Sequence, residues 1–280
     1  MGTTGKPRST TTIDPIPGPE SQAEHQVLRF LRKQRPETGA VAAYPPVRGE
    51  GLLYAVGDVH GRHDLLIRLV ERILDDAAAT GEVPVVIFLG DYIDRGEGAR
   101  ETIDFLSEVA GWPEAESVFL MGNHEQMLLR FLREPESGRK WLRFGGLQTL
   151  MSYGVGSAAD MRGAGGAARV GQDLAEALGP HLGFIEGLRL SHRSGNLLFA
   201  HAGADPALPA DEQEVATLLW GCPAFLETDR KDGIWVVHGH TIVDQPVAAR
   251  GRISIDTGAY YSGRLTAARI LDGEVTFLQA

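Results

Sequence analysis

The 280-residue chain has a single cysteine, Cys222, so no disulfide can staple it internally and a reducing compartment fits. It has no apolar run long enough to span a bilayer; the longest lies around Val83 to Leu89. The opening residues, MGTTGKPRSTTT, lack the apolar segment of a signal peptide. Positive charge is in deficit, with 27 Lys and Arg against 37 Asp and Glu and a formal net charge of −10. Such a field repels a polyanion, so nucleic acid is not an expected partner. An anionic substrate therefore needs a site that brings its own positive charge, which a metal pair supplies. These absences predict a cytoplasmic protein with no membrane partner. What remains is 43% apolar and 23% charged, the composition of a soluble globular chain long enough for one large domain or two small ones.

Residues 1–48 read as a leader: a Thr-, Pro- and Gly-rich stretch to about residue 20, a short amphipathic helix over Ser21–Arg35, then a linker. A catalytic domain is expected over 49–280. Its first part has a regular order. LLYAVG, VPVVIFLG and SVFLMG are buried-strand runs, and DLLIRLVERILDDAAA and Gly98–Ala110 follow the first two with helical spacing. That βαβαβ order, with EQMLLRFL opening a third helix, predicts a mostly parallel sheet. About 134–190 is Gly- and Ala-rich, partly helical and without a clear strand, and reads as a cap or insertion. Beyond it, NLLFAH, IWVVHGH, RISIDTG, LTAARIL and EVTFLQ are strands whose close spacing predicts an antiparallel second sheet packed on the first.

Polar groups gather at the ends of these strands: Asp58 and His60 in GDVHG, Asp91, Asp94 and Arg95 in GDYIDRG, Asn123, His124 and Glu125 in GNHE, His201 in HAG, and His238 and His240 in HGH. Asp58 and Asp91 are 33 residues apart, Asp91 and Asn123 are 32 apart, and each interval is one strand-helix unit. The same carboxyl edge of a parallel sheet is thus populated three times in succession. An Asp after a strand glycine is by itself a turn residue or helix cap, and a single His at a strand end is usually structural. The ordered set is another matter. Asp, His, Asp, Asn, His and His, without a thiolate, suit Mn²⁺, Fe²⁺ or Zn²⁺ better than Ca²⁺. Six ligands fit two divalent ions sharing a carboxylate.

At these residues the chain resembles the calcineurin-like metallophosphoesterase superfamily, and within it the PPP-type serine/threonine protein phosphatases of bacteria and bacteriophages. GDVHGR, GDYIDRG, GNHEQM, HAG, HGHT and IDTGAYYSGRLT carry the likeness in order. It implies an α/β (α+β) four-layer fold, a central β-sandwich of two mixed sheets flanked by helices. It also implies a binuclear centre, with manganese the first choice. Asp58, His60 and Asp91 would hold one ion, and Asp91 bridges to a second completed by Asn123, His201 and His240. Asn123 and Arg95 would face the phosphate. His238 falls where the family has an apolar residue and is expected to be structural. Ile242, where the wider superfamily often has a second His, favours the PPP branch.

The implied reaction is direct attack of a metal-bound water on a phosphomonoester. His124 protonates the leaving alkoxide and Asp94 orients its imidazole. Two departures bear on the substrate. Many relatives have Arg before GNHE and Arg two residues after the Trp of LLW; here those positions are Met121 and Cys222. One lost bidentate contact costs about 1.5–3 kcal/mol, and Arg143, Arg230 and Arg264 are the candidates to replace it. The expected substrate is phosphoserine or phosphothreonine in proteins; the alternative is a dinucleoside polyphosphate or another small phosphoester. A metal-stabilised binding module without turnover is the non-enzymatic alternative, against which the complete ligand set and His124 both weigh.

Overall fold

A computed structural model describes residues 44–157, 159–163 and 165–280. Of the expected leader over residues 1–48, residues 1–43, which include the short helix, lie outside the described residues.

The first sheet has the order β10-β9-β1-β2-β3. Strands β1 (Leu53–Val56), β2 (Val85–Phe88) and β3 (Glu116–Phe119) run parallel. The helices α1 (His63–Thr80) and α2 (Ala99–Val109) make the crossovers that parallel pairing requires. α1 turns Leu65, Leu66, Leu69, Val70, Ile73 and Ala77 inward and stops at Gly81, which supplies the left-handed cap at φ 76°. In β1 the side chains alternate: Leu53 and Ala55 enter the core between the sheets, Tyr54 and Val56 the core under the helices. Both faces of the sheet are therefore covered at its centre, which is why β1 and β2 are continuously apolar.

The second sheet has the order β4-β5-β6-β8-β7, from β4 (Ser191–Ser194), β5 (Leu197–Ala200), β6 (Trp235–His238), β7 (Val247–Ala249) and β8 (Arg252–Ser254). Leu197, Phe199, Trp235, Val237 and Ile253 meet the first sheet in the shared core. On its outer face Leu198, Val236 and Phe225 form a smaller cluster. Helices, two mixed sheets and helices again make the four layers.

The expectation of an antiparallel second sheet is corrected. β5, β6 and β8 pair in parallel, and only the edges β4 and β7 are antiparallel. The link from β5 to β6 contains α8 (Val215–Trp220) and α9 (Pro223–Glu227), a crossover rather than a hairpin. The close pair at the C-terminus, β9 (Thr266–Leu271) and β10 (Glu274–Gln279), does form a hairpin, through Asp272-Gly273 at φ 51° and 84°. It adds to the first sheet instead, with β9 antiparallel to β1.

Between β3 and β4 the described chain is helical. α3 (Asn123–Arg133) leads through a 3₁₀ turn into α4 (Gly138–Trp141), a turn of π geometry over Leu142–Gly146 and α5 (Leu147–Ser152). Then come α6 (Gly166–Leu178) and α7 (Pro180–Glu186). Among the described residues no helix is long and apolar enough to cross a membrane.

Candidate active site

The loops after β1, β2, β3, β5 and β6 converge on one spot. The backbone there is forced. His60, Asp91, Asp94, Arg95 and His240 all have positive φ, between 46° and 68°. They make up five of the seven non-glycine residues in that region among those described, so backbone strain of about 1–3 kcal/mol each is concentrated at the site. Neighbouring glycines permit the approach. A Cβ on Gly122 would stand 2.1 Å from Asp91 Oδ1, and one on Gly239 would stand 2.0 Å from Asp58 Oδ1.

Asp91 is the hub. Its Oδ2 lies 3.5 Å from His60 Nε2, 3.4 Å from His201 Nε2 and 3.8 Å from His124 Nε2. Two groupings share it: His60, Asp91 and His124, and Asp91, His201 and His240. Asn123 Oδ1 is 2.9 Å from both His201 Nε2 and His240 Nδ1. Asp58 approaches from the other side, its carboxylate accepting the His240 N–H at 3.1 Å. All of these except His240 are buried.

The tautomers show what the cluster lacks. His60 Nδ1 donates to Ile93 O at 2.9 Å and His201 Nδ1 to Leu89 O at 3.0 Å. Burial holds both imidazoles below their ordinary pKa, so they are neutral and their Nε2 atoms carry lone pairs. Those lone pairs face Asp91 and Asn123 oxygens, and acceptors pointing at acceptors are satisfied by a cation. Anchoring of the far ring nitrogen on a carbonyl is how a metal-binding histidine is oriented. Asp58 adds to the demand. Burial, then Asp256 and Asp91, push its carboxyl well above the usual range. Asp256, also buried, is pushed up to about 6 by burial and Asp91. The residues present fit divalent metal, and the groups His60, Asp91 and His124 and Asp91, His201 and His240 could each hold an ion, with the Asn123 oxygen beside the second.

The His124 side chain is oriented differently. Its Nδ1 donates to Asp94 Oδ2 at 2.6 Å, and Asp94 is fully buried. Burial works against a charged ring, but Asp91 and the Asp94 hydrogen bond outweigh it and raise the His124 pKa. Arg95 lays its guanidinium on Tyr260, with Cζ 4.8 Å from the ring centroid. Among the described residues that guanidinium has no ion pair, so its donors are free. Asp94 and Arg95 are not a surface salt bridge.

Glu125 supports the architecture from behind. Its carboxylate accepts N–H groups of Asp91, Tyr92, Ile93 and Gly122 at 2.8–3.3 Å, tying the GDYID turn to the start of α3. Its place at the third helical position is the legible sign of such a capping carboxylate. Asp256, Trp141, Thr149 and Tyr260 were not among the residues singled out from the sequence. Only Asp256 and Tyr260 lay inside a noted motif.

The other expectations resolve individually. His238 is buried, with Nδ1 on Gly239 O at 3.0 Å and Nε2 on Ser254 Oγ at 2.7 Å, and holds no place in the cluster. Cys222 packs half-buried beside the Phe225 cluster, and burial raises its thiol. Arg230 does not replace a phosphate arginine. It is buried on Asp205 O at 2.7 Å, Leu208 O at 2.9 Å and the Asp232 carboxylate. Arg264 donates to Asp244 O at 2.9 Å. Arg143 is exposed, with no ion pair among the described residues.

The sequence model for calcineurin-like phosphoesterases matches residues 52–244, well over half of the chain and all five ligand-bearing loops. The chain belongs to the calcineurin-like phosphoesterase family. Membership makes it a phosphoric ester hydrolase of a family that uses divalent metals. Among calcineurin-like relatives, the asymmetrical bis(5′-nucleosyl)-tetraphosphatase PrpE of Bacillus velezensis is 25% identical over 80% of this chain and 91% of its own. Serine/threonine-protein phosphatase 2 of Salmonella typhimurium is 26% identical over 76% of this chain and 90% of its own. A crystal structure described as a putative diadenosine tetraphosphatase shares the fold, with TM-score 0.53 at 18% identity, covering 82% of this chain and 94% of that one.

Proposed function

We propose that the chain hydrolyses dinucleoside polyphosphates at a two-metal centre, with His124 as the acid. The observation that carries the centre is the convergence of the His60, His201, Asp91 and Asn123 lone pairs with no proton between them. The ions, when bound, supply an activated water and neutralise phosphate charge. The protein does the rest. Arg95 presents a two-pronged set of donors to phosphoryl oxygens, held flat by Tyr260. His124, with Nδ1 committed to Asp94, keeps its proton for transfer at Nε2, the nitrogen that faces the ligand cluster.

Two observations favour the nucleotide over the phosphoprotein expected first. Several relatives aligned over most of both chains carry tetraphosphatase names, and the Salmonella protein phosphatase matches at similar identity. A cavity of about 180 Å³ also opens beside α3, two residues along from His124, with Gln126, Arg130, Lys140 and Trp220 around it. Trp220 is anchored to Gln126 at 2.7 Å and covered by Lys140, 5.4 Å from its ring. The part-exposed Trp220 indole and the two cations suit a base and further phosphates. Phosphoserine and phosphothreonine proteins are the second reading, supported by the Salmonella relative.

A parallel assay with Mn²⁺ separates them. Diadenosine tetraphosphate should turn over with kcat/KM at least about tenfold above that of phosphopeptides, and chelator should abolish both activities. The reverse ranking sinks the nucleotide reading. Turnover that survives chelation sinks the metal centre.

A further inference from the structure

Asp94 has more partners than His124. Trp141 Nε1 donates to the same oxygen, Oδ2, at 2.8 Å. Thr149 Oγ1 donates to Oδ1 at 2.6 Å and accepts the Asp94 backbone N–H at 2.9 Å. A single hydroxyl thus fixes both the carboxylate and the backbone of a residue held at φ 68°. Trp141 and Thr149 are themselves buried, at 1% and 0% exposure. Both come from the helical insertion, 47 and 55 residues further along the chain.

The sequence between them, LRFGGLQ, allows this. Gly145 has φ 101°, its carbonyl accepts the Arg95 N–H at 3.2 Å, and a Cβ there would stand 2.6 Å from that nitrogen. A Cβ on Gly146 would stand 2.5 Å from the Trp141 ring. The turn is therefore pressed against Asp94-Arg95 from one side and against Trp141 from the other. Phe144 sets its edge to the His124 ring, with centroids 6.3 Å apart.

A carboxylate with donors on both oxygens cannot swing, so it dictates the plane of the imidazole that it holds. We propose that Trp141 and Thr149 are positioning residues for the Asp94–His124 pair, so that the insertion carries part of the proton-delivery machinery. The inference rests on the reading of His124 as the acid.

The test uses 4-nitrophenyl phosphate and phenyl phosphate with the Mn²⁺-loaded full chain. The two have nearly the same shape, but 4-nitrophenolate leaves without a proton and phenolate needs one. His124→Asn tests the acid itself. It should lower kcat about 10²-fold or more on phenyl phosphate and much less on 4-nitrophenyl phosphate. Thr149→Val and Trp141→Phe should each lower kcat about tenfold on phenyl phosphate and under about threefold on 4-nitrophenyl phosphate, with KM unchanged on both. Thr149→Ser, which keeps the hydroxyl, should restore the rate. Metal content by elemental analysis should stay at the wild-type value in Thr149→Val, Trp141→Phe and Thr149→Ser. Equal losses on the two substrates, loss of metal, or full phenyl phosphate activity in both Thr149→Val and Trp141→Phe overturns the positioning role. If His124→Asn loses the two activities equally, the acid reading fails first and takes this inference with it. If one variant does not fold, the other decides.

Discussion

His238 closes β6 and His240 stands two residues on in the loop that follows, and their surroundings separate their roles. The His240 ring meets the Asn123 oxygen at 2.9 Å. The His238 ring hydrogen-bonds to Ser254 and the Gly239 carbonyl and packs T-shaped on Phe225. Burial lowers the His238 pKa to about 4, so it is a neutral core residue. His238→Leu leaves the Ser254 hydroxyl and the Gly239 carbonyl without a partner. It should cost about 1–3 kcal/mol at pH 7.5 by denaturant unfolding, with metal content intact. The pH dependence has a definite sign. Histidine in the unfolded chain gains its proton near 6.5, whereas folded His238 waits until about 4. Between those values the unfolded state binds more protons, so wild-type stability from this residue is full above pH 6.5 and falls toward pH 4. The gap between wild type and His238→Leu should shrink over that window. Loss of metal in the variant would instead make His238 an accessory ligand.

At the scale of elements, legibility followed locality. Asp58, Asp91 and Asn123 each follow a glycine at the end of a continuous apolar run, so spacing along the chain was enough to place them on one sheet edge. His201 and His240 sit at strand ends in the same way, although the centre of their sheet is parallel rather than antiparallel. A parallel centre needs crossovers, and the α8–α9 link gave no strong periodic signal. Trp141 and Thr149 were illegible because their partner lies 47 and 55 residues away, and nothing local distinguishes them from ordinary core residues. The glycine pair between them carried the only clue, and it looked like loop composition. Gly145 makes that clue testable. Alanine there would suffer a left-handed φ of 101° and a Cβ 2.6 Å from the Arg95 nitrogen. Gly145→Ala should destabilise by at least about 1 kcal/mol. It should also lower kcat/KM, because the turn moves Arg95 and Asp94 as it relaxes. A variant with unchanged kcat/KM would show that the insertion can shift without disturbing the site.

For the whole molecule, the site joins what the core only packs. Asp58, Asp91 and Asn123 leave the first sheet, while His201 and His240 leave the second. The sheets otherwise meet through side chains such as Ile87, Phe199 and Val237. Without an ion, buried Asp58 and Asp256 stand side by side near Asp91, each with its pKa raised. Bound metal would turn that electrostatic cost into cross-sheet ligation, and the native state would gain the binding free energy because an unfolded chain has no such site. At a free metal concentration of 100 times Kd one ion contributes about 2.7 kcal/mol. For a domain of this size each kcal/mol moves the melting temperature by about 2–4 °C. Removing metal with chelator should therefore lower Tm by about 5–10 °C per ion, and Mn²⁺ should restore it. Asp91→Asn removes the carboxylate common to both groupings. It should abolish most of that shift without unfolding the apo protein, since Asn still offers an oxygen to the His124 N–H. A Tm indifferent to chelator in the wild type, or an undiminished metal shift in Asp91→Asn, would mean that the two sheets do not share an ion through this residue.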